Sequence, residues 1–397
     1  MVEDRNEPLG AMEPMLVSSS SPKRDGLADK ALELAERSAG FRRSLPDGIV
    51  DALSDLVRAM NCYYSNLIEG HDTHPVDIER ALNEEFSNDP EQRDLQLEAK
   101  AHIEVQAWID EGGLEGAAAR SDAIIEIHRR FCEKLPDDLL WVENPDSEER
   151  VRVVAGELRD RDVRVGQHVA ISPGAVPRFL TRFEEAYRNL GRVDRVLAAA
   201  AAHHRLLWIH PFVDGNGRVV RLMSYAMLRE ALDTGGIWSV ARGLARREAE
   251  YKRLLQACDG PRRGDRDGRG TLSEAALAAF VGFFLDVCLD QINFMEELVE
   301  PDRLRDRMLI WAVEEIRGDR LPPKSGLVLE AILYRGTLPR KDVADLLSVG
   351  DRQARRITSA LINSGAVTSP TSRADLKLAF PAALAARWLP GLFPEQK

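Results

Sequence analysis

The residues with the most chemical potential lie between 210 and 221: His210-Pro211-Phe212-Val213-Asp214-Gly215-Asn216-Gly217-Arg218-Val219-Val220-Arg221. Pro211 enforces a break in the chain, and Gly215 and Gly217 permit the positive-φ turns of a tight loop. Apolar periodicity resumes at Val219, Leu222, Met223 and Tyr225, so the loop opens a new helix. The first N–H groups of that helix are free and lie at its positive end, which makes an anion-binding nest. Arg218 and Arg221, three apart, share a face and reach further phosphate oxygens. Asp214 is a carboxylate able to hold the Mg²⁺ that polyphosphates carry. His210, next to the nest, suits a general base near neutral pH. Together they predict a site that binds nucleotide phosphates and deprotonates an incoming hydroxyl. A glycine-asparagine turn with a structural histidine would explain any one of these residues, but not a dozen in this order.

A mostly helical frame must position this loop. An Ala/Leu-rich helix over 192–209 runs straight into it, and 218–231 forms the helix that follows. Upstream, Ile49, Leu53, Leu56, Met60, Tyr63, Tyr64 and Leu67 recur at three- and four-residue steps and mark one buried stripe. Other helices are predicted at 75–86, 94–110, 121–134, 175–190, 245–257, 272–297 and 302–316. Val151-Arg152-Val153 and Val163-Arg164-Val165 alternate apolar with charged residues around 156–162, the pattern of a single hairpin. Residues 1–26, with their four-serine run at 18–21, read as a flexible leader. The remaining divisions are a helical region over 27–110, a core over 111–245, a helical extension over 246–320 and, past the Pro322-Pro323 linker, a compact unit over 326–397.

Composition narrows the class. With 397 residues, 44% hydrophobic and 30% charged, the chain has a globular balance and length for a substantial core. Its 65 acidic and 54 basic side chains give a net charge of −11, which argues against non-specific coating of nucleic acid. Residues 326–397 nevertheless carry ten basic against six acidic side chains, so the average hides a basic terminal unit. Cys62, Cys132, Cys258 and Cys288 form no CxxC pair, which fits a reducing compartment. The N-terminus lacks a basic-then-apolar layout, and the most apolar stretch, 275–285, falls short of the roughly 20 residues that span a bilayer. A cytoplasmic protein with no membrane partner is expected.

The 210–221 segment resembles the HPFx[D/E]GNGRxxR signature of Fic domains at every fixed position. Gly156-Glu157-Leu158-Arg159 and Val163-Arg164-Val165-Gly166 look like that family's flap hairpin, and Ser65-Asn66-Leu67-Ile68-Glu69-Gly70 is similar to its [S/T]xxxE[G/N] inhibitory motif. The resemblance implies a mainly α Fic core with one hairpin flap. It implies transfer of AMP from ATP to a Ser, Thr or Tyr hydroxyl of a target protein, or of the chain itself, with release of pyrophosphate. His210 would take the hydroxyl proton and Asp214 would hold Mg²⁺. Gly215, Asn216, Gly217 and Arg218 would hold the α- and β-phosphates, and Arg221 the γ-phosphate. Val163, on the hairpin edge, and Tyr251 join the nucleotide-binding set, although many members carry a second tyrosine where this chain has Lys252. A carboxylate at the end of a helix opposes the helix dipole by roughly 0.3–1 kcal/mol. The resemblance supplies the partner that offsets it: Glu69 pairs with Arg221, braced by Ser65, and displaces the γ-phosphate.

Alternatives stay open. A Fic enzyme could use another donor or mainly remove AMP, and a homodimer is a family-level expectation. His203 and His204 cannot share one helical face, so helix packing suits them better than zinc. Arg263 in the first position of a calcium-like 263–274 loop would repel the ion it should bind. Residues 326–397 look like a winged helix-turn-helix, with helices at 343–347 and 352–361 and a wing from 367–370 and 376–380. Arg352, Arg355 and Arg356 then stand where DNA-reading residues would lie, so a DNA-binding regulator that senses ATP is the rival from a different class.

Overall fold

The computed structural model describes residues 2–114, 116–143 and 150–393. Helices dominate: α1 (Arg24–Ser44), α2 (Asp47–Ile68), α3 (Pro75–Leu82), α4 (Pro90–Asp110), α5 (Ser121–Cys132), α6 (Val176–Tyr187), α7 (Arg192–Ile209) and α8 (Asn216–Ala231). They continue as α9 (Val240–Arg246), α10 (Glu248–Cys258), α11 (Glu274–Leu298), α12 (Pro301–Arg317), α13 (Ser325–Arg335), α14 (Val343–Leu347), α15 (Asp351–Asn363) and α16 (Ala382–Trp388). Local chemistry starts several of them. Asp89 caps α4 by accepting from Gln92 N with Pro90 at the first position, and Ser273 caps α11 by accepting from Ala276 N.

The α7–α8 pair is the centre. Ala198 to Ala202 are fully buried, and their small side chains let α8, α6, α11 and α1 close around α7. α11 is apolar enough by composition to span a membrane, yet two thirds of its apolar window is buried against α1, α7, α9 and α10. It is a core helix, longer than the 275–285 apolar run suggests because it continues past Asp286 to Leu298.

Three expectations need correction. The stretch expected to be a flexible leader is held against the core. Met12, Met15 and Val17 are buried, Glu7 accepts from Ser172 N and Oγ, and Pro14 O accepts from Arg205 Nε and Nη2. The three apolar anchors were obscured by a polar, proline-containing context. The single hairpin becomes two. β1 (Trp141–Glu143) pairs with β2 (Arg150–Arg152), and β3 (Arg164–Val165) pairs with β4 (His168–Val169) around Gly166, whose φ is +58°. The residues between β2 and β3 are drawn into the site instead, as described below. Finally, the helix predicted over 245–257 is broken at Arg247, which ends α9 and precedes α10.

At the C-terminus, α13, α14 and α15 precede β5 (Val367–Thr368) and β6 (Lys377–Leu378), which pair antiparallel, and a bridge joins Leu338 to Leu376. The helix and strand positions expected for 343–380 recur there. α16 and the residues after it return to the body of the protein. Within the calcium-like 263–274 loop, Asp267 accepts from Arg263 N and Ala275 N and so fixes the entry to α11.

Candidate active site

The loop after α7 is built by three devices. His210 ends the helix in the left-handed region at φ 52°, which turns the chain sharply at Pro211. Asn216 then closes the loop on itself: its Oδ1 accepts from Phe212 N at 3.0 Å and its Nδ2 donates to Phe212 O at 2.9 Å. Gly215 takes φ +77° and starts α8, whose first helical bond runs from Val219 N to Gly215 O. The N–H groups of 216–218 therefore precede the helix's own ladder and crown its positive end. Gly217 does not adopt positive φ, contrary to expectation, and the reason for a glycine there is different. A Cβ at Gly217 would stand 2.2 Å from Glu69 Oε1.

Glu69 thus lies directly over the nest. Its carboxylate accepts from Arg221 Nη2 at 2.5 Å, while Ser65 Oγ and O accept from Arg221 Nε and Nη2 at 2.8 and 3.2 Å. Burial alone would raise the Glu69 carboxyl, but Arg221, then Arg218 and His71, outweigh it and hold it below its ordinary value. Gly70 follows with φ +89° and ends the helix. One end of α2 therefore delivers an anion to the N-terminus of α8, in the position the sequence assigned to phosphate oxygens.

The second arginine is also engaged. Arg218 pairs with Glu98 from α4, lies 5.3 Å over the Phe131 ring, and has His71 Nδ1 3.2 Å from Nη2. His71 Nδ1 in turn lies 2.8 Å from Glu98 Oε2, an interaction that raises the His71 pKa. Sequence reading missed Glu98. Its signal was its phase: Leu95, Glu98, His102, Val105 and Ile109 form one helical stripe, and a carboxylate on a buried stripe requires a cation.

Two further residues brace the loop from below. Arg159 is buried in the strap between β2 and β3, where its guanidinium donates to the carbonyls of His210 (2.7 Å), Arg161 (2.9 Å), Ile171 (2.5 Å) and Ile209 (3.4 Å). Its backbone N–H donates to Pro211 O. A cation at the C-terminal end of α7 complements that helix's negative pole. His128 of α5 stacks on Phe212 at 3.8 Å and accepts from Gly156 N through Nδ1 at 3.0 Å. Burial pushes it down to about 4, so it is neutral. His210 is also pushed down to about 4, by burial first and by the Arg159 guanidinium second.

The other predicted residues fall around this centre. Tyr251 is fully buried beneath it, its hydroxyl 2.7 Å from His203 Nε2, and His203 Nδ1 lies 2.8 Å from Ser224 Oγ. It therefore belongs to the floor of the site. Val163, half-buried, accepts from Ala170 N through its carbonyl at the base of the β3–β4 hairpin. That hairpin is fixed to the end of α7 by His168 Nε2, 2.8 Å from Trp208 O, and exposes Val165 and Val169 beside the loop. Asp214 stands exposed at the mouth of the nest. Mg²⁺ on a nucleotide keeps waters and phosphate oxygens as ligands and needs only one or two protein carboxylates, so this single donor fits.

Residues 118–228 match the family model described as Fic/DOC. Over those residues the chain is similar to the Fic/DOC family. Outside that span, Glu69, Ser65 and Glu98 reach the 210–221 loop from the N-terminal helices. The chain is 28% identical over 225 residues to the protein adenylyltransferase Fic of Drosophila willistoni and 29% identical over 225 residues to that of Drosophila virilis. Those alignments cover 54% of this chain and 42% and 43% of the relatives, so the chain spans less than half their length. A solved Fic family protein from Desulfovibrio desulfuricans G20 shares the fold across 92% of this chain and 98% of its own, with a TM-score of 0.53 at 16% identity.

Proposed function

We propose that this Fic protein is an autoinhibited protein adenylyltransferase. The observation that carries the reading is the Glu69 carboxylate over Gly217 and against Arg221, an anion of the chain itself on the nest meant for phosphate. With Glu69 withdrawn, the N–H groups of 216–218 and Arg221 take the phosphates of ATP, and Asp214 holds the Mg²⁺ that neutralises their charge. His210 accepts the proton of a Ser, Thr or Tyr hydroxyl as its oxygen bonds to the α-phosphorus. The bond from that phosphorus to the β-bridging oxygen breaks, and pyrophosphate leaves. The exposed edge at Val165 and Val169 suits an extended target segment that brings its hydroxyl to His210. Asn216 serves this chemistry by holding the loop shut, since both ends of its side-chain amide are engaged by Phe212. The four cysteines are free and buried, which suits a reducing, cytoplasmic setting. Mass spectrometry of lysate proteins incubated with ATP and the Glu69→Gly form tests the reading: AMP-bearing hydroxyl residues are expected, and their absence would refute it.

The neutral imidazole sets a pH prediction. A base near 4 is already unprotonated at neutral pH, and removal of Glu69, whose charge raises the His210 pKa, moves it lower still. AMP transfer by Glu69→Gly should therefore stay flat from about pH 8 to about pH 6 and fall only on stronger acidification. A midpoint near 6.5, the ordinary histidine value, would contradict it.

A second reading concerns the C-terminal unit, which we propose is a winged helix able to contact DNA. Arg352, Arg355 and Arg356 are exposed on α15, with no ion-pair partner among the described residues. Filter binding should give a retention that falls steeply with salt and flattens in Arg355→Ala. Salt-independent retention, or none, would remove this reading.

A further inference from the structure

The face of α2 that turns away from the nest is gripped by the other end of the chain. A Cβ on Gly48 would lie 2.2 Å from Gly336 O, so the start of α2 abuts the turn after α13. Lys377 Nζ pairs with Asp51 at 3.0 Å, and on the neighbouring α3 Ala382 N donates to Glu79 Oε2 at 2.9 Å. The closest grip is at the other end of the helix. Tyr64 Oη donates to Leu392 O at 2.9 Å in a fully buried contact, and the Tyr63 ring meets Phe393 edge-on at 5.7 Å. Arg242 of α9 closes the same segment from a third side, donating to Gly391 O at 2.9 Å while stacking 3.4 Å over Phe294. Trp388, fully buried and edge-on to Trp311 at 5.2 Å, anchors the segment to α12.

We propose that residues 389–393 are a latch that holds the last turn of α2 in its Glu69-engaged position. Tyr64 immediately precedes Ser65, whose hydroxyl and carbonyl hold Arg221, and Glu69 lies one turn further on. The final turn of a helix is the part that frays first, and the tail pins the side chains just before it. Freed from Leu392 and Phe393, that turn keeps its packing against α4 and α9 but loses the side-chain contacts that fix it just before Ser65, so less opposes the withdrawal of Glu69. The coupling is reciprocal: occupancy of the nest by ATP loosens the tail, and whatever draws the C-terminal unit away favours ATP. The inference rests on the reading of Glu69 as the group that blocks transfer.

Tyr64→Phe removes the hydroxyl while keeping the ring, and Arg242→Lys removes the Gly391 contact from a residue outside α2. Each should raise AMP transfer by about fivefold in the otherwise unaltered full chain, the effect of one buried hydrogen bond on the engaged state. Neither should change the rate in the Glu69→Gly background, where there is nothing left to release. An equal gain in both backgrounds, or no gain in the unaltered chain, overturns the latch. If Glu69→Gly shows no transfer at all, the transfer reading falls, and the latch is judged by hydrogen exchange alone. Faster exchange at residues 65–71 in Tyr64→Phe upholds it, and unchanged exchange there overturns it.

Discussion

Replacing Glu69 by glycine raises AMP transfer from ATP by roughly 10- to 100-fold, the span of a coupling between one regulatory contact and one site. The change removes the carboxylate that stands over Gly217 and returns Arg221 Nη2 to the nest. Arg221 is not orphaned by it, because Ser65 Oγ and O still accept from Nε and Nη2. The usual cost of stripping the partner from a buried charge is thereby reduced. Glu69 also follows the last residue of α2, where a glycine is well tolerated. The expected signature is a large rise in rate, tighter ATP binding by calorimetry and a melting temperature close to that of the parent. A rise in rate without tighter ATP binding would place the effect of Glu69 on the target side instead.

Loss of His210 has the opposite and larger effect. In the Glu69→Gly background, His210→Ala should lower transfer by roughly 10²- to 10⁴-fold, the contribution of a positioned general base. Alanine is a poor probe by itself, because residue 210 sits at φ 52° and a non-glycine residue there is strained. Asparagine tolerates that region and cannot take the proton at neutral pH, so His210→Asn separates the chemical loss from loop distortion. His210→Asn should bind ATP as the Glu69→Gly parent does, since the nest and Arg221 are intact. Loss of ATP binding in His210→Asn would reassign His210 to a structural role.

The centre of this site was legible because it is local. Residues 210–221 are contiguous, and a proline, two glycines and a returning apolar period are enough to predict a loop that opens a helix. The pairing of Glu69 with Arg221, 152 positions apart, came from resemblance to Fic sequences and not from spacing. The Glu98–Arg218 pair had no such help, and its clue, an acid on a buried stripe, is apparent only once α4 is packed. The hairpin was misread because Val151–Val153 and Val163–Val165 alternate equally well, and alternation does not name the partner strand. Arg159 decided the outcome, since its guanidinium binds four carbonyls around His210 and draws the strap inward. Gly217 illustrates the same limit. Its glycine was read as a backbone need, and the structure assigns it to the space filled by Glu69 Oε1.

Under the proposed function, this loop moves the α-phosphorus of ATP onto a hydroxyl once Glu69 is withdrawn. The most direct measurement incubates the Glu69→Gly full chain with ATP labelled at the α-phosphate and, in parallel, at the γ-phosphate, with Glu69→Gly/His210→Asn as the control. Protein-bound label is expected from the α-phosphate alone, lost in the control. Label from the γ-phosphate, or α-label that survives the loss of His210, would contradict it.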